Sequence, residues 1–264
     1  MTAAPISEPQ DILLGRPAPH VLLITLNRPD VRNALRNQTL SEIAAALLEA
    51  DADATVRVAV ISGGDRIFAA GADINEMARN DAVGTLLDVR PQYWKIIAAF
   101  TKPLLAAVNG YAYGAGCELV MHADIAIAGQ GARFGQPEIN LGAIPGAGGT
   151  QRLIRTVGKP LAMKMVLSGE ALHAEAALAA GLVAEVTPDD QTLERALALA
   201  TTIAGKSPLA LKLAKEAMLK SYETGLEAGL QMERKSFSLL AASDDRREGI
   251  AAFKEKRPAL FTGK

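Results

Sequence analysis

The chain has 264 residues, of which 49% are hydrophobic and 22% charged, and its formal net charge at pH 7 is −1. A chain of this length and composition is typical of a globular protein and folds without a metal or disulfide staple. The balance of charges argues against nucleic acid as the main ligand, because that affinity depends on clustered Lys and Arg.

The N-terminus and the apolar stretches indicate where the protein is expected. The first ten residues contain Glu8 and two prolines but no basic segment followed by an apolar one, so they predict no export signal. The longest apolar stretch, residues 96–113, is interrupted by Lys102, Pro103 and Asn109. It is shorter than the roughly 20 apolar residues of a membrane span. We therefore expect a cytoplasmic protein with no membrane partner.

Strand and helix patterns alternate along the chain as far as about residue 187. Apolar runs predict strands at residues 11–14, 21–26, 56–61, 103–108, 124–128 and 182–186. Apolar residues with helical spacing predict helices at residues 38–50, 74–79, 83–100 and 117–122. This alternation predicts an α/β core in which helices cover the sheets.

The end of the chain carries almost no strand pattern and several helix signals. Asp245 and Glu248, for example, have the spacing of an acidic capping box. We therefore divide the chain into an α/β core over residues 1–195 and a helical C-terminal region over residues 196–264.

Several common active-site motifs are missing from the sequence. It contains no G-x-S-x-G elbow, no P-loop, no H-E-x-x-H and no paired cysteines. His122 follows Glu118 by four residues, but one such pair falls short of the three protein ligands usual at zinc. We predict no metal site.

Three loops are rich in glycine and alanine, at residues 68–73, 110–118 and 144–150. Small residues let a ligand approach the main chain, and N–H groups at the start of a helix stabilise negative charge. The alternative interpretation is that these residues only permit tight turns and close packing.

Two glutamates in apolar surroundings are the candidate acid and base. Glu118 is flanked by Cys117 and Leu119, and Glu138 follows Pro137. Burial and mutual repulsion raise the pKa of such carboxyl groups toward neutrality, which suits general acid and base catalysis. The alternative is a structural role for both: Glu118 would then pair with His122 or Arg133, and Glu138 would cap the chain that follows Pro137.

Four segments together resemble one known family. They are FAAGADINEM at 68–77, AAVNGYAYGAGCEL at 106–119, ARFGQPEINLGAIPGAGGTQRL at 132–153 and SDDRREGIAAFKEKR at 243–257. In sequence and order they resemble the enoyl-CoA hydratases of the crotonase superfamily, over nearly the whole chain. NEMARND at 75–81 and VRPQYW at 89–94 resemble the branch that acts on 2,3-dehydroadipyl-CoA in bacterial phenylacetate degradation.

The resemblance implies a fold and an assembly. The fold is a crotonase-like spiral of ββα units, followed by a C-terminal helical region for trimerisation. The expected partners are an acyl-CoA thioester substrate and further copies of the chain, as a homotrimer or a dimer of trimers. No cofactor is implied, because coenzyme A is part of the substrate.

The resemblance also implies the residues of the site. Glu118 and Glu138 correspond to the catalytic glutamates, and the backbone N–H groups of Ala72 and Ala115 to an oxyanion hole. The implied substrate and CoA contacts are Arg66, Ala70, Asp73, Ile74, Asn75, Gly146, Phe253 and Lys256, the last two reaching a neighbouring subunit. The implied acyl pocket contains Arg90, Tyr93 and Trp94. Arg90 is the candidate partner of a distal substrate carboxylate, unless it pairs with Asp88 instead.

The implied reaction is hydration of a 2,3-trans-enoyl-CoA to the (3S)-3-hydroxyacyl-CoA. The nearest alternative is Δ3,Δ2-enoyl-CoA isomerisation, which needs one carboxylate. An NAD-binding oxidoreductase is less favoured, because Gly114 and Gly116 are followed by Leu119 where a dinucleotide fingerprint has its third glycine. Glu118 at that helix start would also repel a pyrophosphate.

Overall fold

The structure is a computed structural model that describes residues 9–264. Its strands, in chain order, are β1 (Ile12–Ala18), β2 (Val21–Leu26), β3 (Val58–Ser62), β4 (Leu104–Val108), β5 (Tyr111–Tyr113), β6 (Ile125–Gly129), β7 (Arg133–Gly135), β8 (Leu172–His173) and β9 (Glu185–Thr187). Its helices are α1 (Asn37–Ala52), α2 (Ile74–Met77), α3 (Ala82–Leu86), α4 (Arg90–Ala98), α5 (Ala115–His122), α6 (Gly149–Val157), α7 (Lys159–Ser168), α8 (Ala174–Ala179), α9 (Thr192–Ala204), α10 (Pro208–Lys220), α11 (Leu226–Leu240) and α12 (Asp244–Glu255).

Two sheets organise the core. The larger has six strands in the order β1-β2-β3-β4-β6-β9, and the smaller has three in the order β5-β7-β8. In the larger sheet β1 and β2 are antiparallel and the other neighbours are parallel. The continuous apolar runs of β3 and β4 are fully buried, as expected for parallel strands covered on both faces.

Helices cover both faces of the larger sheet. On one side α1 buries Leu40, Ile43 and Leu47 in the main apolar cluster. On the other side α9 buries Ala196 and Ala200 in a second cluster against the strands. The small side chains of α9 let its backbone approach the sheet closely.

The chain winds so that each successive turn gives one strand to each sheet. It passes from β4 in the larger sheet to β5 in the smaller, and then from β6 to β7 in the same way. An isolated bridge between Ala69 and Ala112 adds the preceding turn to the smaller layer. This path confirms the predicted α/β class and brings the glycine-rich loops to one region.

Several boundaries differ from the predictions. The helix predicted over residues 83–100 is two helices, α3 and α4. The second helix begins anew one residue before Pro91, because proline supplies no N–H to continue the first. Asp81 caps the start of α3, where its side chain accepts the N–H of Gly84 at 2.7 Å. The predicted division near residue 195 falls inside α9. The change to a purely helical region comes after Ala204, since α9 packs on the sheet.

The start of α12 also has a different cap from the one predicted. Ser243 caps it, its Oγ accepting an N–H from Arg246 at 3.1 Å. The buried Asp245 instead accepts backbone N–H groups from Thr262 and Gly263, which fastens the C-terminal residues to this helix. None of the helices within residues 9–264 is long and apolar enough to cross a membrane.

Candidate active site

Glu118 lies one turn into α5 and is 2% exposed. Its Oε1 accepts two backbone hydrogen bonds, from the N–H groups of Ala147 and Gly149, each at 2.7 Å. A Cβ on Gly149 would lie 2.9 Å from this oxygen and 2.7 Å from Pro145 Cβ. Only glycine therefore allows the loop before α6 to close on the carboxylate.

Opposing effects set the proton affinity of Glu118. Burial raises its pKa above the ordinary value, while the two N–H donors and the charge of Arg152 act to lower it. Gly149 is also the first residue of α6, so the partial positive charge of that helix terminus faces the carboxylate. The donors thus offset only part of the effect of burial, and the pKa of Glu118 stays above its ordinary value, which suits a general base.

Glu138 has fewer stabilising partners. It lies in the short 3-10 helix Pro137–Leu141 and is half-buried. Burial, reinforced by the negative charge of Glu118, raises its pKa to about 7. Near neutral pH this carboxyl group is therefore available in its protonated form, as a general acid requires.

Two neighbours bring Glu138 toward Glu118. Gly114 has φ 49°, and a Cβ there would lie 2.8 Å from Glu138 Oε1, so the turn into α5 runs directly beside this carboxyl group. Gln136 is fully buried, and with its amide nitrogen facing Glu138 it lies 3.1 and 3.2 Å from the two carboxylate oxygens. Gln136 lies within the quoted motif, but sequence analysis did not single it out.

The two predicted oxyanion donors lie in register on adjacent segments. Ala69 pairs with Ala112 in a parallel bridge, and Tyr113 N–H donates to Ala69 O at 3.0 Å. Three residues further along the two segments are Ala72 and Ala115. Within residues 9–264 neither of these N–H groups donates a hydrogen bond to the protein. Two backbone donors without a protein acceptor in this range therefore lie on adjacent segments, with Ala115 at the start of α5.

The other predicted substrate contacts differ in their exposure and in their hydrogen bonds. Asp73 caps α2 through Asn75 N–H at 3.1 Å and pairs with Arg28 at 3.2 Å. Gly146 is exposed, and a Cβ there would meet nothing within 4 Å. Arg66, Ile74 and Asn75 are exposed, and Ala70 is half-buried.

The predicted acyl-pocket residues all lie on α4. Arg90 is bound by Asp88, its Nε donating at 2.8 Å, so its guanidinium is already neutralised. Trp94 is buried and stacks on the His122 ring with 4.9 Å between ring centroids. Tyr93 packs partly buried against the same apolar cluster. The pairing of Arg90 is the alternative that the sequence left open.

The two predicted contacts of a neighbouring subunit lie at the end of α12. Phe253 is 87% exposed, and Lys256 is an exposed left-handed residue that ends the helix. They are thus presented outward rather than folded into this chain's own core.

His122 and Cys117 flank Glu118 without forming a metal site. His122 Nδ1 lies 2.8 Å from the backbone oxygen of Glu118, and burial lowers its pKa to about 4, so the ring is neutral. Burial raises the pKa of the Cys117 thiol to about 12. Among residues 9–264, no three His, Cys, Asp or Glu side chains are grouped to hold a metal ion.

Comparison with known proteins shows the family to which the chain belongs. Residues 18–264 match the enoyl-CoA hydratase/isomerase family. The chain is 58% identical to the 2,3-dehydroadipyl-CoA hydratase of Escherichia coli, over 92% of this chain and 96% of that protein. It is 46% identical to the mitochondrial enoyl-CoA hydratase of Pongo abelii, over 90% and 82% of the two chains. The crystal structure of an enoyl-CoA hydratase from Bacillus anthracis superposes with a TM-score of 0.92 at 36% identity, covering 97% of this chain and all of that one. The chain therefore belongs to the enoyl-CoA hydratase/isomerase family of the crotonase superfamily.

Proposed function

We propose that this protein adds water across the double bond of 2,3-trans-enoyl-CoA thioesters. The observation that carries the proposal is the pairing of two unlike carboxyl groups beside two free backbone donors. Two N–H donors offset part of the effect of burial on Glu118, whose pKa is still raised, and the pKa of Glu138 is raised to about 7.

The reaction follows from these four groups. The N–H groups of Ala72 and Ala115 bind the thioester carbonyl oxygen, which gains negative charge as water attacks C3. Each such donor contributes about 3 kcal/mol to transition-state stabilisation. Glu118 takes one proton from the attacking water, and Glu138 delivers a proton to C2. The water's oxygen and one of its protons stay on C3, so the product is the 3-hydroxyacyl-CoA, in the (3S) form that the family resemblance implies. No step needs a metal or a redox cofactor.

Isomerisation of a Δ3-enoyl-CoA is the second candidate. It moves one proton between carbon atoms and can proceed with one carboxylate, so it uses only part of this arrangement. The presence of the second glutamate, Glu138, favours hydration.

We extend the proposal to acyl groups with a terminal carboxylate. Its support is the 58% identity to the Escherichia coli protein, whose name specifies 2,3-dehydroadipyl-CoA. Comparing kcat/KM for crotonyl-, hexenoyl-, decenoyl- and 2,3-dehydroadipyl-CoA tests this extension. A preference for hexenoyl-CoA over its dicarboxylic analogue would contradict it.

We also propose a trimer, or a pair of trimers, and a cytoplasmic location. Within the described part of the chain α10 and α11 contain no buried residue. Their large apolar side chains are exposed, among them Met218, Leu226, Leu230, Phe237 and Leu239. Because so much apolar surface is unusual on a monomer, these helices support self-association.

The simplest test is the absorbance of the enoyl-thioester band after addition of crotonyl-CoA without nicotinamide. Hydration removes the conjugated double bond, so the band should fall until the hydration equilibrium is reached. An unchanged band together with conversion of a Δ3-enoyl-CoA would instead establish an isomerase. Binding without any reaction would contradict both candidates.

A further inference from the structure

The segment that carries Ala72 is held by a loop from a distant part of the sequence. We call residues 28–35 the clamp loop. Its backbone runs beside residues 70–73, where Ala70 N–H donates to Arg32 O at 3.0 Å and Asp73 N–H donates to Leu35 O at 2.9 Å. Between them the N–H groups of Gly71 and Ala72 donate to no other group within residues 9–264. The clamp loop therefore binds the amides on both sides of the predicted oxyanion donor.

Asn33 fixes the clamp loop to this segment. Its side chain is buried, and its Nδ2 lies 2.9, 3.0 and 3.2 Å from the backbone oxygens of Gly63, Ile67 and Phe68. Its Oδ1 accepts the N–H of Arg28 at 2.9 Å. One amide thus joins the clamp loop to the chain that leads into the Ala72 segment.

The backbone of Asn33 is part of the same arrangement. Both Arg32 and Asn33 have φ 54°, a left-handed conformation that asparagine tolerates better than most residues. This conformation turns the loop so that the side chain of Asn33 reaches inward while Arg32 stays exposed.

The opposite edge of the segment is bound to the turn that precedes α5. Phe68 N–H donates to Asn109 O at 2.8 Å, and Ala69 N–H donates to Tyr111 O at 3.0 Å. The Ala72 segment is therefore held between the clamp loop and the chain that ends in Ala115. Its position relative to Ala115 depends on both edges.

We infer that Asn33 is a positioning residue for the oxyanion hole: its side-chain amide holds the Ala72 N–H at the distance from the Ala115 N–H that the substrate's carbonyl oxygen requires. The inference rests on the proposed function, since it concerns the same site. Donors of this kind act only when they lie about 2.7–3.1 Å from the developing oxyanion. A small shift of the Ala72 segment is therefore enough to reduce the stabilisation of the transition state while the CoA ester still binds.

The decisive variant is Asn33→Asp. It keeps the shape and the oxygen that accepts Arg28 N–H, but it places a second oxygen, instead of an N–H donor, against three carbonyl groups. We expect kcat for crotonyl-CoA to fall about 10²-fold, as for loss of one oxyanion donor, with KM nearly unchanged. Arg32→Ala is the matched control. Arg32 precedes Asn33 in the clamp loop and has the same left-handed backbone conformation, but its exposed side chain makes no contact with the Ala72 segment. This variant should retain the wild-type kcat.

A second readout does not depend on turnover. Butyryl-CoA labelled with ¹³C at the thioester carbonyl should bind to the wild type with its C=O stretch shifted to lower frequency by the two donors. In Asn33→Asp the stretch should return toward the value of the free ester. Asn33→Gly is the second variant if the first does not fold, because glycine adopts φ 54° freely and removes the amide.

Three outcomes are distinguishable. A lower melting temperature with unchanged kcat and C=O stretch, measured well below the transition, would show that Asn33 is only structural and would overturn the inference. Equal losses in Arg32→Ala would overturn it as well. If the wild type neither hydrates crotonyl-CoA nor shifts the butyryl-CoA carbonyl, the proposed function itself fails.

Discussion

The α/β core and the C-terminal helices differ in what each completes by itself. In the core, Glu118 is buried with its hydrogen bonds supplied by its own chain. In the C-terminal region, α10 and α11 bury no side chain within the described residues, and Phe253 is 87% exposed. The core thus supplies the hydrogen bonds of its own buried glutamate, whereas the C-terminal helices leave large apolar side chains exposed.

This difference predicts that substitutions in the two regions change different kinetic constants. Substitutions in the core should lower kcat, because they act on groups that change charge in the transition state. Substitutions in the C-terminal region should act on assembly and on KM, because they act on binding.

The largest effect should come from the glutamates. We expect Glu118→Gln and Glu138→Gln each to lower kcat for crotonyl-CoA by at least about 10²-fold, since each removes one proton transfer. CoA-ester binding should persist, which equilibrium binding of butyryl-CoA would measure.

The double variant sharpens the same prediction. Groups that act as a unit are not additive, so the double variant should be much less impaired than the product of the two single losses. A single variant with full activity would remove that glutamate from the mechanism.

A smaller effect, on KM and assembly and not on kcat, should follow removal of the C-terminal residues. Deleting residues 244–264 removes Phe253 and Lys256 and leaves the core glutamates in place. We expect weaker assembly in sedimentation and a higher KM for crotonyl-CoA. Lys256→Ala should raise KM by itself, whereas Lys254→Ala, an exposed lysine on the same helix, is the matched control. A monomeric truncated chain with unchanged KM would show that the tail has no part in binding.

The pH dependence should separate the two glutamates within the core. Because the pKa of Glu138 is raised to about 7, its protonated form is present below that pH and is lost above it. As the acid that protonates C2, Glu138 should therefore give kcat/KM an alkaline limb near pH 7. The limb should be absent from the residual activity of Glu138→Gln. Its persistence would assign the titration to another group.

The smallest effect should come from Arg90. Because Arg90→Met leaves the mostly buried Asp88 carboxylate without its charged partner, we expect it to lower the free energy of unfolding by about 1–3 kcal/mol, with little effect on kcat. The ratio of kcat/KM for 2,3-dehydroadipyl- and hexenoyl-CoA should stay the same. A selective loss on the dicarboxylic substrate would restore Arg90 as its receptor.

Local patterns carried most of what could be predicted. Glu118 and Glu138 could be singled out from their apolar neighbours, whereas Ala72 and Ala115 came only from motifs that resemble the family. Asn33 was missed because its role depends on contacts with residues more than 30 positions away, at 67 and 68, which no local pattern records.

The elements that were missed or misplaced have equally physical causes. Strands β7 and β8 are three and two residues long, too short for an alternating pattern to be recognised. The boundary near residue 195 was misplaced because the alanines of α9 look the same whether the helix covers a sheet or stands alone.

Because Cys117 is buried in α5, its chemical reactivity can be used to measure local opening of that helix. The chain has one cysteine, it is fully buried beside Glu118, and the pKa of its thiol is raised to about 12. The thiolate that alkylating reagents attack is therefore almost absent while α5 is packed. The rate of thiol modification then reports how often α5 opens, and no cysteine has to be introduced to measure it. A bound acyl-CoA, by bridging α5 and the Ala72 segment, should slow that rate.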